Sequence, residues 1–341
     1  MTFDRKTDSD RGFILYVVTV VMWFSSFFLN FFHRIRSRFN TMPVRPVDSI
    51  FRNQDRLDRM RAALDAGERE IMEEIAASRT DNSRLHRLLN TKSARWTELK
   101  EAVVYKVTNG EEEVVVKVFT TFPFHEIGGN LLATGLLETC PFFVRTLDIG
   151  QSMTGNYLIV MECLPDDTSS INLEDPIHMY NLFYQTAYAC AQMEKASGLQ
   201  HFDLRYDNIM MRTLSEPKDL FGNGIKSTFV IKVGDFGQCE FDFGNGRPLN
   251  PDVPRATTEQ KKWGLYPTTY TGYDFQYFLA TLTVMMEKYQ NFYYIHKMAI
   301  TYLEPVAFTP AQYRPEIITN RRPVDILSFL KREITPTLGI C

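Results

Sequence analysis

Cysteine is scarce in this chain and dispersed. The five residues, Cys140, Cys163, Cys190, Cys239 and Cys341, are odd in number and form no C-x-x-C pair. That excludes a disulfide framework and a zinc site built on paired thiolates, and it fits a reducing compartment. Excess charge of either sign is also missing. The formal net charge is −3 at pH 7, so nothing recommends nucleic acid as a partner. No internal repeat and no low-complexity tract interrupts the chain. A phosphate-binding loop of the form G-x-x-x-x-G-K-[ST] is absent too. What remains is the make-up of a folded protein, 44% apolar and 23% charged over 341 residues, enough for one large or two smaller domains.

One long uncharged run stands out, from Phe13 to Phe32. As a helix it would extend about 30 Å, the thickness of a bilayer's hydrocarbon layer. It ends in Phe-Phe-His-Arg rather than in a small-residue cleavage site, so a membrane anchor is expected over a removed signal peptide. Arg34, Arg36, Arg38 and Arg45 follow the run, and Arg5, Lys6 and Arg11 precede it. The bias predicts a single-pass protein with its C-terminal side facing the cytosol. The expected organisation is a tail over 1–12, a transmembrane helix over 13–32, and a basic juxtamembrane segment and helical linker over 33–90. A folded domain then runs over 91–341.

Within the linker, residues 48–90 read as helix, with Leu57, Met60, Leu64, Ile71 and Ile75 at helical spacing. The expectation is a helical extension packed on the following domain, with a stalk or dimerising helix as the alternative. From Ala102 the period changes. Ala102–Val107 and Val114–Phe119 read as a hairpin turning at Asn109-Gly110. A helical stretch runs to about Glu138, then come strands near 143–149 and 157–162. Beyond Pro165 the pattern is mostly helical. Strands first and helices afterwards predict an α+β, two-lobed layout, with lobes at about 91–164 and 165–341.

The chemistry concentrates in two segments. Leu199-Gln200-His201-Phe202-Asp203-Leu204-Arg205-Tyr206-Asp207-Asn208 has the spacing His-x-Asp-x-x-x-x-Asn and leads into an apolar strand. Val230-Ile231-Lys232-Val233-Gly234 is an apolar strand ending in Asp235-Phe236-Gly237. Phosphoryl transfer from ATP needs a carboxylate near the acceptor hydroxyl and oxygen donors that hold magnesium on the phosphates. These residues supply both. One such Asp or Asn is ordinarily a turn cap, but three at this spacing make a site.

On these motifs, residues from about 91 to 341 resemble a divergent protein kinase domain, closer to haspin-like and some viral kinases than to the mainstream families. The resemblance implies Asp203 as the catalytic aspartate and Asn208 and Asp235 as magnesium ligands. Arg205 would neutralise the moving phosphoryl group, where serine/threonine kinases usually carry Lys. Phe202 stands where an Arg normally reads an activation-loop phosphate, which implies activity without that phosphate. Lys117, in Val114-Val115-Val116-Lys117, matches the strand lysine that pairs with the α and β phosphates. Its carboxylate partner is Glu126 or Glu138, with Glu126 preferred. Met161 would sit behind adenine, and the backbone of Glu162 and Leu164 would bond the base.

Three departures accompany the likeness. Thr97, Leu99 and Ala102 fall where the family's phosphate-covering glycines belong. Residues 215–228 look like an insertion, and no Ala-Pro-Glu follows Gly237. Asp274 matches a buried aspartate anchoring the catalytic loop, or serves as a plain helix cap. The implied function is a membrane-anchored kinase that uses ATP and Mg2+ on Ser or Thr of a protein substrate. The alternatives are a pseudokinase scaffold and, less favoured, a small-molecule phosphotransferase.

Overall fold

The computed structural model describes residues 54–64, 66–77, 94–100, 103–109, 112–152, 154–241 and 272–286, and positions 327, 328, 330 and 332. All belong to a unit running from Asp48 to Cys341, whereas the unit Met1–Val47 lies outside the described residues.

The chain is α+β with mostly antiparallel sheet. This corrects the expectation of a kinase-like fold preceded by a transmembrane helix. Among the described residues no helix is long and apolar enough to cross a membrane. Even the 22-residue helix Pro176–Ser197 carries His178, Asn181, Gln185, Glu194 and Lys195. The run 13–32 is itself outside the described residues. The expectation rested on hydropathy, which measures a preference for leaving water and does not by itself build a helix. The membrane helix is therefore withdrawn from the architecture.

Two short helices come first, α1 (Gln54–Ala63) and α2 (Glu68–Ala77). They break the single helix expected over 48–90 because Gly67 adopts φ 115°, a conformation that side chains with a Cβ resist. Arg56 of α1 is 1% exposed and ion-pairs with Asp148 at 3.3 Å, so the helices are docked on the domain that follows.

Next come β1 (Arg95–Lys100), β2 (Val104–Asn109), β3 (Glu112–Phe119), α3 (Phe124–Leu136), β4 (Thr146–Gln151) and β5 (Tyr157–Glu162). The strands form a five-stranded sheet in the order β1-β2-β3-β5-β4. The β2–β3 hairpin turns one residue later than expected, since Asn109 still pairs with Glu112. Val107, Val114, Val116 and Ile159 are buried beneath 2% exposure, which is what alternating β-branched residues achieve on a pleated sheet.

A second sheet holds β6 (Asp166–Asp167), β7 (Ile209–Asp219) and β8 (Lys226–Val233) in sequence order. Ahead of β7 runs α4, the helix Pro176–Ser197. Asp175 caps its first turn through Ile177 N–H at 2.8 Å, Pro176 opens it, and Gly198 closes it at φ 56°. Each device matches an unsatisfied backbone group or a left-handed terminal residue. Residues 215–228, expected as an insertion, are the far end of the β7–β8 hairpin. There the Asp219 carboxylate accepts N–H bonds from Phe221, Asn223 and Gly224. Helix α5 (Tyr273–Met286) packs on α4. The two sheets meet where Val144 N–H bonds the Val233 carbonyl and Val233 N–H bonds that of Phe142, at 2.9 and 2.8 Å. One apolar core, including Ile127, Leu131, Phe143, Leu182, Phe183, Val233 and Phe278, runs through both parts.

Candidate active site

The site begins with strand register. Ile209, at the start of β7, pairs with Val233, at the end of β8. Their outer neighbours therefore lie side by side, and Gly234 N–H donates to the Asn208 carbonyl at 3.1 Å. Asn208 and Asp235, 27 positions apart in sequence, are brought together by that hairpin. The Asn208 amide nitrogen donates to both the Asp203 carbonyl, at 2.8 Å, and the Asp203 Oδ2, at 3.1 Å. This fixes the amide so that its oxygen is the donor left for a cation. Asn208 and Asp235, the two residues expected to hold magnesium, thus flank one pair of strand ends. A hard ion that keeps phosphate and water ligands needs no more than such a pair of protein oxygens. Among the described residues no cluster of three or more His, Cys, Asp or Glu could hold a metal unaided.

Lys117 approaches from the other sheet. It lies on β3 between Val104 of β2 and Ile159 of β5, in the middle of the sheet. Its ammonium donates to Asp235 Oδ1 at 2.6 Å and to Glu126 Oε1. Glu126 occupies the first turn of α3 and is buried, where the positive end of the helix dipole favours its charge. Glu138 is exposed beyond the helix end, so the open choice of partner closes on Glu126. Burial disfavours the Lys117 charge, but Glu126 and Asp235 outweigh it and raise its pKa above the ordinary 10.5. Burial pushes the Glu126 carboxyl up, against the pull of Lys117. An ammonium holding two carboxylates becomes a ready partner for phosphate oxygens once a cation satisfies Asp235.

The loop carrying Asp203 is pinned from below. Asp274, 6% exposed at the start of α5, accepts the N–H groups of His201 and Phe202, each at 2.8 Å. It is the buried anchor rather than a helix cap. His201 Nε2 bonds the Gly234 carbonyl at 2.8 Å and its ring lies 5.0 Å from Phe236, which makes it a structural tie between the two motifs. Phe202 and Asp235 both adopt left-handed backbone conformations, φ 59° and 64°. Such a conformation costs a non-glycine residue about 1–2 kcal/mol and persists where surrounding bonds impose it. For Phe202 those bonds come from Asp274. Asp274→Ala is expected to lower unfolding free energy by about 3 kcal/mol, since two charge-assisted bonds to buried N–H groups vanish. Denaturant titration measures it, and a loss below about 1 kcal/mol would remove Asp274 as the anchor.

Arg205 stands beside Asp203, Nε to Oδ2 at 3.7 Å, and reaches Asp207 at 3.8 Å. Burial raises the Asp203 pKa, opposed by His201, Arg205 and the Asn208 amide.

The residues expected around adenine lie on β5 and just past its end. Met161 is buried on β5, and Leu164 is half-buried beyond it. The Glu162 side chain has a structural task that sequence reading missed. It accepts from Arg212 at 2.7 Å and from the Arg145 backbone at 2.9 Å, with Lys232 at 3.5 Å. That network ties β5 to β7 and β8. Asn130, Thr134 and Thr146 were missed as well. Thr146 donates its N–H to Thr134 Oγ1 at 3.1 Å and its hydroxyl to Asn130 Oδ1 at 3.3 Å, which holds α3 on β4. These side chains are ordinary in sequence and only their tertiary partners mark them.

Where the resemblance implies a phosphate-covering loop, β1 and β2 follow each other closely in sequence. Lys100 pairs with Val104, which leaves three residues between β1 and β2. Thr97 and Leu99 lie within β1, and Ala102 is outside the described residues. A cavity of about 480 Å³ opens at the N-terminal end of α3, lined by Phe119, Phe122, Phe124, His125, Glu126 and Gly237 among others. It touches the Lys117 cluster through Glu126 but does not include Met161 or Leu164.

Comparison with protein-family models and with curated proteins finds no match for this chain.

Proposed function

We propose that the chain is a protein kinase-like enzyme that binds ATP with Mg2+ and transfers the γ-phosphate to a hydroxyl of a protein substrate. The observation that carries this reading is the convergence on one point of Asp203, Asn208, Asp235 and Lys117, drawn from two sheets and a loop. Asn208 and Asp235 would hold magnesium, which supplies charge neutralisation on the phosphates when bound. Lys117, aligned by Glu126, would bond phosphate oxygens. Asp203 would orient the acceptor hydroxyl and take its proton, with Arg205 beside it to offset negative charge. The preference for Ser or Thr rests on Arg205 alone.

The test is transfer of labelled γ-phosphate from MgATP to the chain itself or to a generic basic protein. Transfer supports an enzyme. Magnesium-dependent nucleotide binding without transfer supports the second reading, a nucleotide-binding scaffold. One observation favours that second reading: the three-residue β1–β2 connection offers few backbone N–H groups to cover a γ-phosphate.

The pH profile supplies a further check. The proton acceptor must be ionised, and burial places the Asp203 pKa above the ordinary 3.8. Acidification is therefore expected to cut kcat/KM before the pH reaches that value. A profile flat down to the ordinary aspartate range would exclude Asp203 as the acceptor.

A further inference from the structure

Helix α3 breaks a local rule at its centre. Gly128 and Gly129 are consecutive there, and an interior glycine costs about 1 kcal/mol relative to alanine. The packing explains the pair. A Cβ at Gly129 would lie 2.5 Å from Cys239 Sγ and 2.6 Å from Phe236 Cβ. At Gly128 it would lie 2.5 Å from Phe241 Cε1 and closer still to Cζ. The helix therefore carries a notch, and the Phe241 ring fills it.

The same segment is held at three more points. Phe241 is 2% exposed, with its ring 5.9 Å from Phe124 and 6.1 Å from His125. Cys239 Sγ donates to the His125 carbonyl at 3.1 Å. Glu240 and Gln200 exchange both backbone hydrogen bonds, at 2.8 and 2.9 Å, immediately ahead of His201. These ties are apolar, sulfur or backbone contacts, and none needs a charge added to the chain. The Phe241 and Cys239 ties converge on one helix, whose residue Glu126 lies two positions before Gly128, and the Glu240 tie joins the segment to the loop of Asp203.

We propose that Phe241 is a positioning residue: seated in the Gly128 notch, it holds α3 and the Asp235–Phe241 segment in the register where Lys117 meets both Glu126 and Asp235, so that the site assembles without phosphorylation of the chain. This rests on the MgATP reading of the site. It names the device that keeps that site in working order.

Size exchange across the notch tests it, in the 341-residue chain treated with phosphatase. By helix propensity alone Gly128→Ala should stabilise. The notch reverses the sign. Gly128→Ala is expected to lower kcat/KM for MgATP by about tenfold or more and to speed hydrogen exchange in 235–241 while leaving α4 unchanged. Removing the ring relieves the clash but leaves the notch without its plug, so Gly128→Ala with Phe241→Ala is expected to regain folded stability while turnover stays low. Phe241→Leu, which shortens the ring without filling the notch, is expected to lower turnover in the same direction and covers the case where Gly128→Ala does not fold. Unchanged turnover in both Gly128→Ala and Phe241→Leu overturns the inference, as does a double variant that regains wild-type turnover. So does wild type that loses turnover to phosphatase. A wild type that binds no MgATP overturns the site reading itself, and the two failures are separable.

Discussion

Asp203→Asn is expected to reduce γ-phosphate transfer by about three orders of magnitude while changing ATP affinity less than about threefold. The asymmetry follows from where Asp203 sits. It touches Asn208 and Arg205, not Lys117, so its charge is directed to the acceptor side of the site. The substitution keeps the shape and can still meet the Asn208 amide, so the loop has no reason to move. What disappears is the proton acceptor, a loss felt only in the transition state and therefore in kcat. Steady-state transfer and equilibrium ATP binding on the same samples check both halves. A variant that keeps more than about a tenth of wild-type kcat would remove Asp203 from proton transfer.

Lys117→Met is expected to have the second large effect, on binding and stability together. Methionine matches the length of the aliphatic stem but leaves Glu126 and Asp235 without their shared cation. Removing one partner of a buried ion pair costs about 3–5 kcal/mol because a buried charge is left behind. Here the cost falls near the lower end. Asp235 is partly solvated, its side chain 32% exposed, and burial already inclines Glu126 to take up a proton. The expected outcome is a stability loss of about 3 kcal/mol and an ATP affinity lowered by tenfold or more. Lys117→Arg restores charge but not geometry, since the guanidinium is larger than the ammonium and its donors point in fixed directions in one plane. It is expected to recover stability more than turnover. Denaturant unfolding beside nucleotide titration separates the two. Stability unchanged in Lys117→Met would mean that the cluster does not tie α3 to the Asp235 segment.

The parts of this site that could be read from sequence are the ones set by short-range spacing. His201, Asp203 and Asn208 lie within one loop, and Asp235 ends an apolar strand, so local pattern alone marks them as a set. The strands around Lys117 were legible for the same reason, through the alternation of Val114, Val116 and Val118. Choices that depend on a turn were not. Whether Glu126 or Glu138 meets Lys117 is decided by how tightly Phe122-Pro123 ends β3 and starts α3, which carries no unique sequence mark. Gly67 splits the expected long helix because it takes a positive φ, and a spacing count cannot show that. Glu162 illustrates a third limit. Its backbone was expected to matter, yet its side chain binds Arg212 and Lys232, 50 and 70 positions away. The glycine pair in α3 looks like a helix defect until Phe241 and Phe236 are seen against it. The membrane helix expected over 13–32 falls outside the described residues, among which no helix is long and apolar enough to cross a membrane.

The most direct measurement is ATP affinity of the 341-residue chain in saturating Mg2+ and again in EDTA, with Asp235→Asn beside wild type. The Asp235 carboxylate would repel a triphosphate unless a cation offset the charge of both. The expected result is binding in Mg2+ that weakens by tenfold or more in EDTA and in Asp235→Asn. ATP binding that is absent in both buffers, or equal with and without the metal, would contradict the assignment of Asn208, Asp235 and Lys117 to a magnesium-nucleotide site.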